Sequence, residues 1–178
     1  DQCGSRGLGD VYKRQLINDP AELVALFRAV DSEIRRNVLS TLADGWTMIS
    51  ELNKKFGEEA NDIIVYYEKF KLIESRWEVN KESGRPEKSY RTFYNAFQIS
   101  TSLTFDETQE LLTVVLMSDK EFTNYESKIV DLIGDEGTFA NDVGRDIGVS
   151  SLTLKGLVRR SVKFDFKGHN IVPLKEEE

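Results

Sequence analysis

The sequence predicts a mostly α chain with small β-hairpins (α+β), built as two helix-turn-helix units in tandem, each closed by a hairpin. Three observations carry this. Apolar residues recur at helical spacing from Leu23 to Phe70, and again from Leu111 to Val158. Each series ends in short runs that alternate in the strand manner around a turn, Trp77/Val79 with Tyr90/Thr92/Tyr94 and Val162 to Val172. The polar stretch Ser100 to Thr104 separates the two series, which bounds the units at 16–99 and 104–174.

In the first unit, Asp19 followed by Pro20 reads as an N-cap with proline at the first helical position. The helix it opens carries Leu23, Leu26, Phe27 and Val30. Ser32 caps a second helix with Ile34, Val38, Leu39 and Leu42 on one face, stopped near Asp44-Gly45. Trp46-Thr47 opens a short third helix with Ile49, Leu52 and Phe56, stopped at Gly57. A fourth helix runs from about Glu59 to Phe70. Leu72-Ile73 then leads into a hairpin whose tight tip is punctuated by Gly84 and Pro86. Ala96 to Ser100 reads as an extra strand.

In the second unit, Thr104 and Asp106 open a helix that runs to about Ser118. Another spans roughly Glu121 to Ile133 and ends at Gly134. A short helix ending at Ile147, the turn Gly148-Val149-Ser150 and a Ser-capped helix with Leu154, Leu157 and Val158 inward form the second helix-turn-helix. Val162 to Phe166, Lys167-Gly168-His169-Asn170 and Ile171-Val172 form its hairpin. The two units repeat an architecture, not a sequence.

Residues 1–15 stand apart. Asp10-Val11-Tyr12-Lys13-Arg14-Gln15 is the translation of a sequencing-adapter end, and the stretch has no periodic pattern. It is expected to be non-native, disordered and outside the fold; the alternative is a genuine disordered N-terminal arm. The one cysteine, Cys3, lies within it. The rest has no disulfide and no Cys-based metal site, which fits a reducing, cytoplasmic setting. No apolar run is long enough for a bilayer, so no membrane is expected among the partners. The net charge is −7. Residues 98–138 hold 2 Lys/Arg against 9 Asp/Glu, an acidic block between two segments with basic clusters.

The sequence is poor in catalytic chemistry. Its single histidine, His169, sits at a hairpin turn, and no phosphate loop, nucleophile elbow or metal-ligand spacing occurs. No catalytic residue, metal or cofactor is expected. The polar chemistry is cationic. Arg85 and Lys88 sit at the first hairpin tip with Lys81 and Arg91 behind, the position from which a winged helix touches a phosphate backbone. Asn61, Tyr66 and Lys69 are the candidates on the fourth helix. Lys155, Arg159, Arg160 and Lys163 recur at helical spacing, with Arg145 nearby; that cluster meets DNA, pairs with the acidic block, or is a plain solvated face. Tyr66, Tyr67, Phe70 and Trp77 read as core packing, against a ligand pocket or stacking platform. Leu111-Leu112, Val115-Leu116 and Met117 read as core or as a dimer helix.

The first unit resembles the ArsR-type winged-helix transcription regulators over residues 20–97. The resemblance is carried by Ile34-Arg35-Arg36-Asn37-Val38-Leu39-Ser40-Thr41-Leu42, by Ile49-Ser50-Glu51-Leu52, by Leu72-Ile73, and by Gly84-Arg85-Pro86-Glu87-Lys88-Ser89-Tyr90 in the wing. The second half resembles the further winged-helix unit of archaeal tandem regulators. The resemblance implies a homodimeric regulator that binds double-stranded DNA through a recognition helix and a basic wing. Metal sensing is not implied, since the paired cysteines of metal-sensing members are missing. The recognition helix here opens Glu58-Glu59-Ala60-Asn61-Asp62. Those carboxylates either favour the helix N-terminus while pointing away from DNA, or mark a unit that does not read bases in the usual way. The alternative function is a protein-interaction module that has lost DNA binding.

Overall fold

The computed structural model describes residues 14–175. The proposed adapter segment lies outside the described residues as far as residue 13. In chain order the elements are β1 (Arg14–Ile17), α1 (Glu22–Ala29), α2 (Glu33–Asp44), β2 (Thr47–Met48), α3 (Ile49–Phe56), α4 (Glu59–Lys69), β3 (Ile73–Val79) and β4 (Pro86–Thr92). There follow β5 (Ala96–Ile99), α5 (Phe105–Leu116), α6 (Asp119–Ile133), β6 (Thr138–Phe139), α7 (Ala140–Ile147), α8 (Ser151–Arg160), β7 (Phe164–Lys167) and β8 (Asn170–Pro173).

Side-chain caps set most helix starts. The Asp19 carboxylate accepts from the Ala21 N–H at 3.0 Å, so the first turn forms before regular helix begins at Glu22. The Ser32, Thr104, Ser118 and Ser150 hydroxyls each accept from the N–H three residues on. Glu107 reaches back to the Thr104 N–H, completing a capping box. The Ser118 cap starts α6 at Asp119, two residues earlier than expected from the apolar spacing.

Two three-stranded antiparallel sheets have the same order, β2-β4-β3 and β6-β8-β7. In both, a two-residue strand between helices adds to the returning strand of the hairpin. Each hairpin thereby closes over a helix-turn-helix, α3–α4 in one unit and α7–α8 in the other. β5 pairs in parallel with β1, from Arg14 against Ala96 to Ile17 against Ile99. Arg14 and Gln15 are thus strand residues, and the boundary at residue 15 cuts through β1.

The apolar residues form two cores. One gathers Val38, Leu42, Leu52, Ile63, Ile64, Tyr67, Leu72 and Tyr90. The other gathers Leu111, Val114, Ile129, Ile133, Val143, Leu154, Leu157, Phe164 and Ile171. Helix α1 serves both: Ala29 lies in the first core and Val24 in the second. A Cβ on Gly156 would stand 3.4 Å from Val114 and Val24 side-chain atoms, so glycine lets α8 lie close to α1 and α5. Among the described residues, no helix is long and apolar enough to cross a membrane.

Candidate nucleic-acid interface

The first-unit wing is a built turn. The Asn80 N–H donates to Arg85 O at 2.9 Å, and the Gly84 N–H donates to Asn80 O at 2.7 Å. The Asn80 side-chain oxygen accepts from the N–H of Glu82 at 2.8 Å and of Ser83 at 3.3 Å, an Asx turn. Gly84 has φ +69°, a conformation that a side chain disfavours. The Asn80 amide also donates to Ser50 Oγ and Glu87 Oε1, both at 3.3 Å, and the Ser50 hydroxyl donates to Glu87. The base of the wing is therefore pinned to the first turn of α3. Sequence reading passed over Asn80; its place four residues before Gly84 was the available signal.

This turn displays Lys81 and Arg85 in solvent. Neither has a carboxylate partner among the described residues. Lys88 is half-buried, its ammonium 5.9 Å from the Trp77 ring centroid. Trp77 is 68% exposed and Val79 lies beside it on the same open face, so core packing does not describe Trp77. The cause is register: Trp77 pairs with Lys88 and Val79 with Pro86, out beyond the edge of the core. Arg91 does not point free. It pairs with Glu74, and its guanidinium lies 4.7 Å from the Trp46 ring centroid, with that of Arg76 at 4.1 Å. Arg91 braces the sheet.

Helix α4 divides its candidates. Asn61 is exposed between Glu59 and Asp62, and with Glu58 and Val65 these make an outward face that is largely acidic. Tyr66 is buried, its hydroxyl donating to Arg159 O at 3.2 Å while its ring packs on Phe70 and on the Arg35 guanidinium. Burial pushes its phenol up. The Lys69 ammonium donates to the carbonyls of Val158 at 2.6 Å, Phe164 at 3.0 Å and Ser161. Burial, opposed by Asp165, pulls its pKa down to about 8. Tyr66 and Lys69 are therefore corrected from DNA contacts to contacts with the second unit. Lys69 caps the open carbonyls at the C-terminal end of α8.

The second-unit cluster separates in the same way. Arg160 is buried, donating to Val114 O at 2.8 Å and Met117 O at 2.7 Å, and pairing with Asp119 at 3.0 Å. It holds the end of α5 and is corrected from a DNA contact to a structural one. Lys163 lies past the end of α8 and pairs with Glu126 at 2.8 Å. Both partners belong to the acidic block. Lys155 and Arg159 instead line a concave cavity of about 600 Å³ with Ser151, Arg145 and the hairpin tip at His169. Arg159 faces Asp165 at 3.8 Å, and Arg145 pairs with Asp142 at 3.0 Å. Among the described residues, no group of three or more His, Cys, Asp or Glu is placed to hold a metal.

Searches of curated proteins and of solved structures returned no match. A family model, that of the ArsR transcriptional regulator, matches residues 17–175. The match runs through both helix-turn-helix units, beyond the 20–97 in which the resemblance was read. With nearly the whole described chain matched in one span, the protein belongs to the ArsR transcriptional regulator family.

Proposed function

We propose that the protein binds double-stranded DNA as a homodimer in the cytoplasm, with the first-unit wing on the phosphate backbone. The observation that carries this is the state of the cations. Arg76, Arg91, Arg145, Arg159, Arg160 and Lys163 each face a carboxylate. Lys81 and Arg85 do not; like Lys155 they face no carboxylate among the described residues, and the Asn80 turn holds the two of them outward together at the wing. Lys88 extends the same strip beside Trp77. Asn61 is the outward amide on α4, and an amide matches the paired donor and acceptor of adenine in the major groove. The test is a titration of fluorescent duplex DNA at several salt concentrations. Lys81→Ala with Arg85→Ala is expected to lower affinity across all sequences and to flatten the log–log salt slope by about two, near 0.9 per lost phosphate contact. An unchanged slope removes the wing from the mechanism.

The homodimer reading rests on α5. Leu111, Val115 and Met117 are buried, while Phe105, Leu112 and Leu116 stand outward at i, i+7 and i+11. An outward apolar stripe on one helix suits an isologous contact with its own copy.

A second reading is a protein-interaction module, favoured by the outward Glu58, just before α4, and Glu59 and Asp62 in its first turn. Carboxylates on that helix repel phosphates and suit a basic protein partner. In that case the same titration shows no binding to lose.

A further inference from the structure

The outward face of α8 lines a concavity: Ser151, Lys155 and Arg159 share it with residues of α7, the β7–β8 hairpin and Asp19. Its volume of about 600 Å³ is that of a small-molecule site.

We propose that this cavity binds a small aromatic carboxylate. Three features fix the class. The charge is cationic: Lys155, Arg159 and Arg145 line it, Arg145 already paired with Asp142 at 3.0 Å, and Asp19 is the single carboxylate among its lining residues. Lys155 is exposed and has no carboxylate partner among the described residues. Arg159 has its Asp165 neighbour at 3.8 Å, beyond hydrogen-bond reach, which orients the guanidinium and leaves donors unused. The remaining wall mixes the polar Asn141, Ser151 and His169 with the apolar Phe139, Leu154 and Phe166, and Phe139 is 43% exposed. An inorganic anion would leave those rings wet. A neutral apolar molecule would leave the Lys155 ammonium without a counter-charge. A planar ring bearing a carboxylate satisfies both.

The site also touches the joint between the units. The Arg159 side chain lines the cavity while its carbonyl accepts the Tyr66 hydroxyl of α4, one residue from the Val158 carbonyl that Lys69 holds. A ligand here would bear on the contact that orients the two helix-turn-helix units.

The test uses the full chain, without DNA, so its outcome is independent of the DNA reading. The probe is 2-naphthoate, followed by its own fluorescence, with 2-naphthamide and inorganic phosphate as controls. Saturable naphthoate binding is expected, with the amide at least about tenfold weaker, the size of one lost ion pair of about 1.4 kcal/mol. Lys155→Ala should weaken naphthoate about tenfold without moving the thermal midpoint, and Lys155→Arg should restore most of it. Phe139→Ser, also at the surface, should weaken both aromatic probes. No saturable binding, equal binding of the amide, displacement by phosphate at equal concentration, or indifference to Lys155→Ala would each overturn the assignment.

Discussion

The Lys69 ammonium of α4 donates to the Val158 carbonyl of α8 at 2.6 Å. One recognition-type helix thereby caps the end of another, 89 residues away in the chain. Helix ends expose carbonyls that need donors, and a cation there also meets the negative end of the helix dipole. The Tyr66–Arg159 bond lies one turn earlier on the same helix. Together they fix how the two helix-turn-helix units face each other, and they turn Tyr66 and Lys69 towards the second unit.

Replacing Lys69 tests this joint. Lys69→Met leaves buried carbonyls without donors and is expected to cost about 1–3 kcal/mol in urea unfolding. The pH dependence has a definite sign. The folded pKa of about 8 lies below the ordinary lysine value of 10.5, so the unfolded chain binds more protons between them. Wild-type stability should therefore rise with pH above about 8, gaining about 2 kcal/mol by pH ~9.5, and the gain should be missing in Lys69→Met. Tyr66 and Tyr67 act oppositely. Their raised values stabilise the fold below pH 10 and lose that contribution above it. The comparison belongs below that point. A flat wild-type profile from pH 7 to about 9.5 would show that Lys69 is not desolvated.

Arg160 separates the structural reading from the nucleic-acid one. Arg160→Met removes the donors to Val114 O and Met117 O. A loss of about 2–4 kcal/mol of stability is expected, since two buried carbonyls are left unpaired. The salt slope of DNA binding, measured where the variant is folded, should match wild type. A flatter slope would put Arg160 back on the phosphate backbone.

The helices and both hairpins were legible because their signals are local. Ser32 and Thr104 cap where a Ser or Thr precedes an apolar period, and Gly84 turns where no other residue turns as easily. The partner of each outward face was not legible. Helical spacing puts Lys69 on the side of α4 away from the Ile63/Tyr67 core, which in an isolated unit is the side that meets DNA. In the chain that side meets α8. The same holds for Arg160, whose carbonyl partners lie 43 and 46 residues back. The β1–β5 pairing joins the two ends of the first unit, and nothing near Arg14 announces it. Of the candidate interface, the exposed positions of Lys81 and Arg85 were readable; the pairing of Arg91 with Glu74 and the bracing by Asn80, Ser50 and Glu87 were not.

Two aromatic residues that sequence grouped together should behave in opposite ways. The Tyr67 hydroxyl lies 2.7 Å from Ala29 O and 2.8 Å from Arg35 O, inside the first core. Tyr67→Phe is expected to cost about 1–3 kcal/mol, the penalty for stranding buried polar groups. Trp77, on the open face of the wing, should tolerate Trp77→Ser within about 0.5 kcal/mol. Chemical denaturation of both variants decides it. A large cost for Trp77→Ser would mean that the ring is covered in solution.

The dimer reading makes its own claim on α5. Leu116 is 77% exposed and Phe105 90%, on the side of the helix away from the second core. Burying a leucine side chain contributes roughly 1.5–3 kcal/mol, and a two-fold contact counts it twice. Leu116→Glu should therefore shift sedimentation from dimer to monomer at micromolar chain concentration. It should leave monomer unfolding within about 0.5 kcal/mol, because the residue is largely exposed on its own chain. Leu111→Ala is the control. Leu111 is buried in the second core, so its loss should lower stability by about 2–5 kcal/mol as any core leucine does. If Leu116→Glu sediments as wild type does, α5 is not the interface and the outward stripe has no partner in a second copy of this chain.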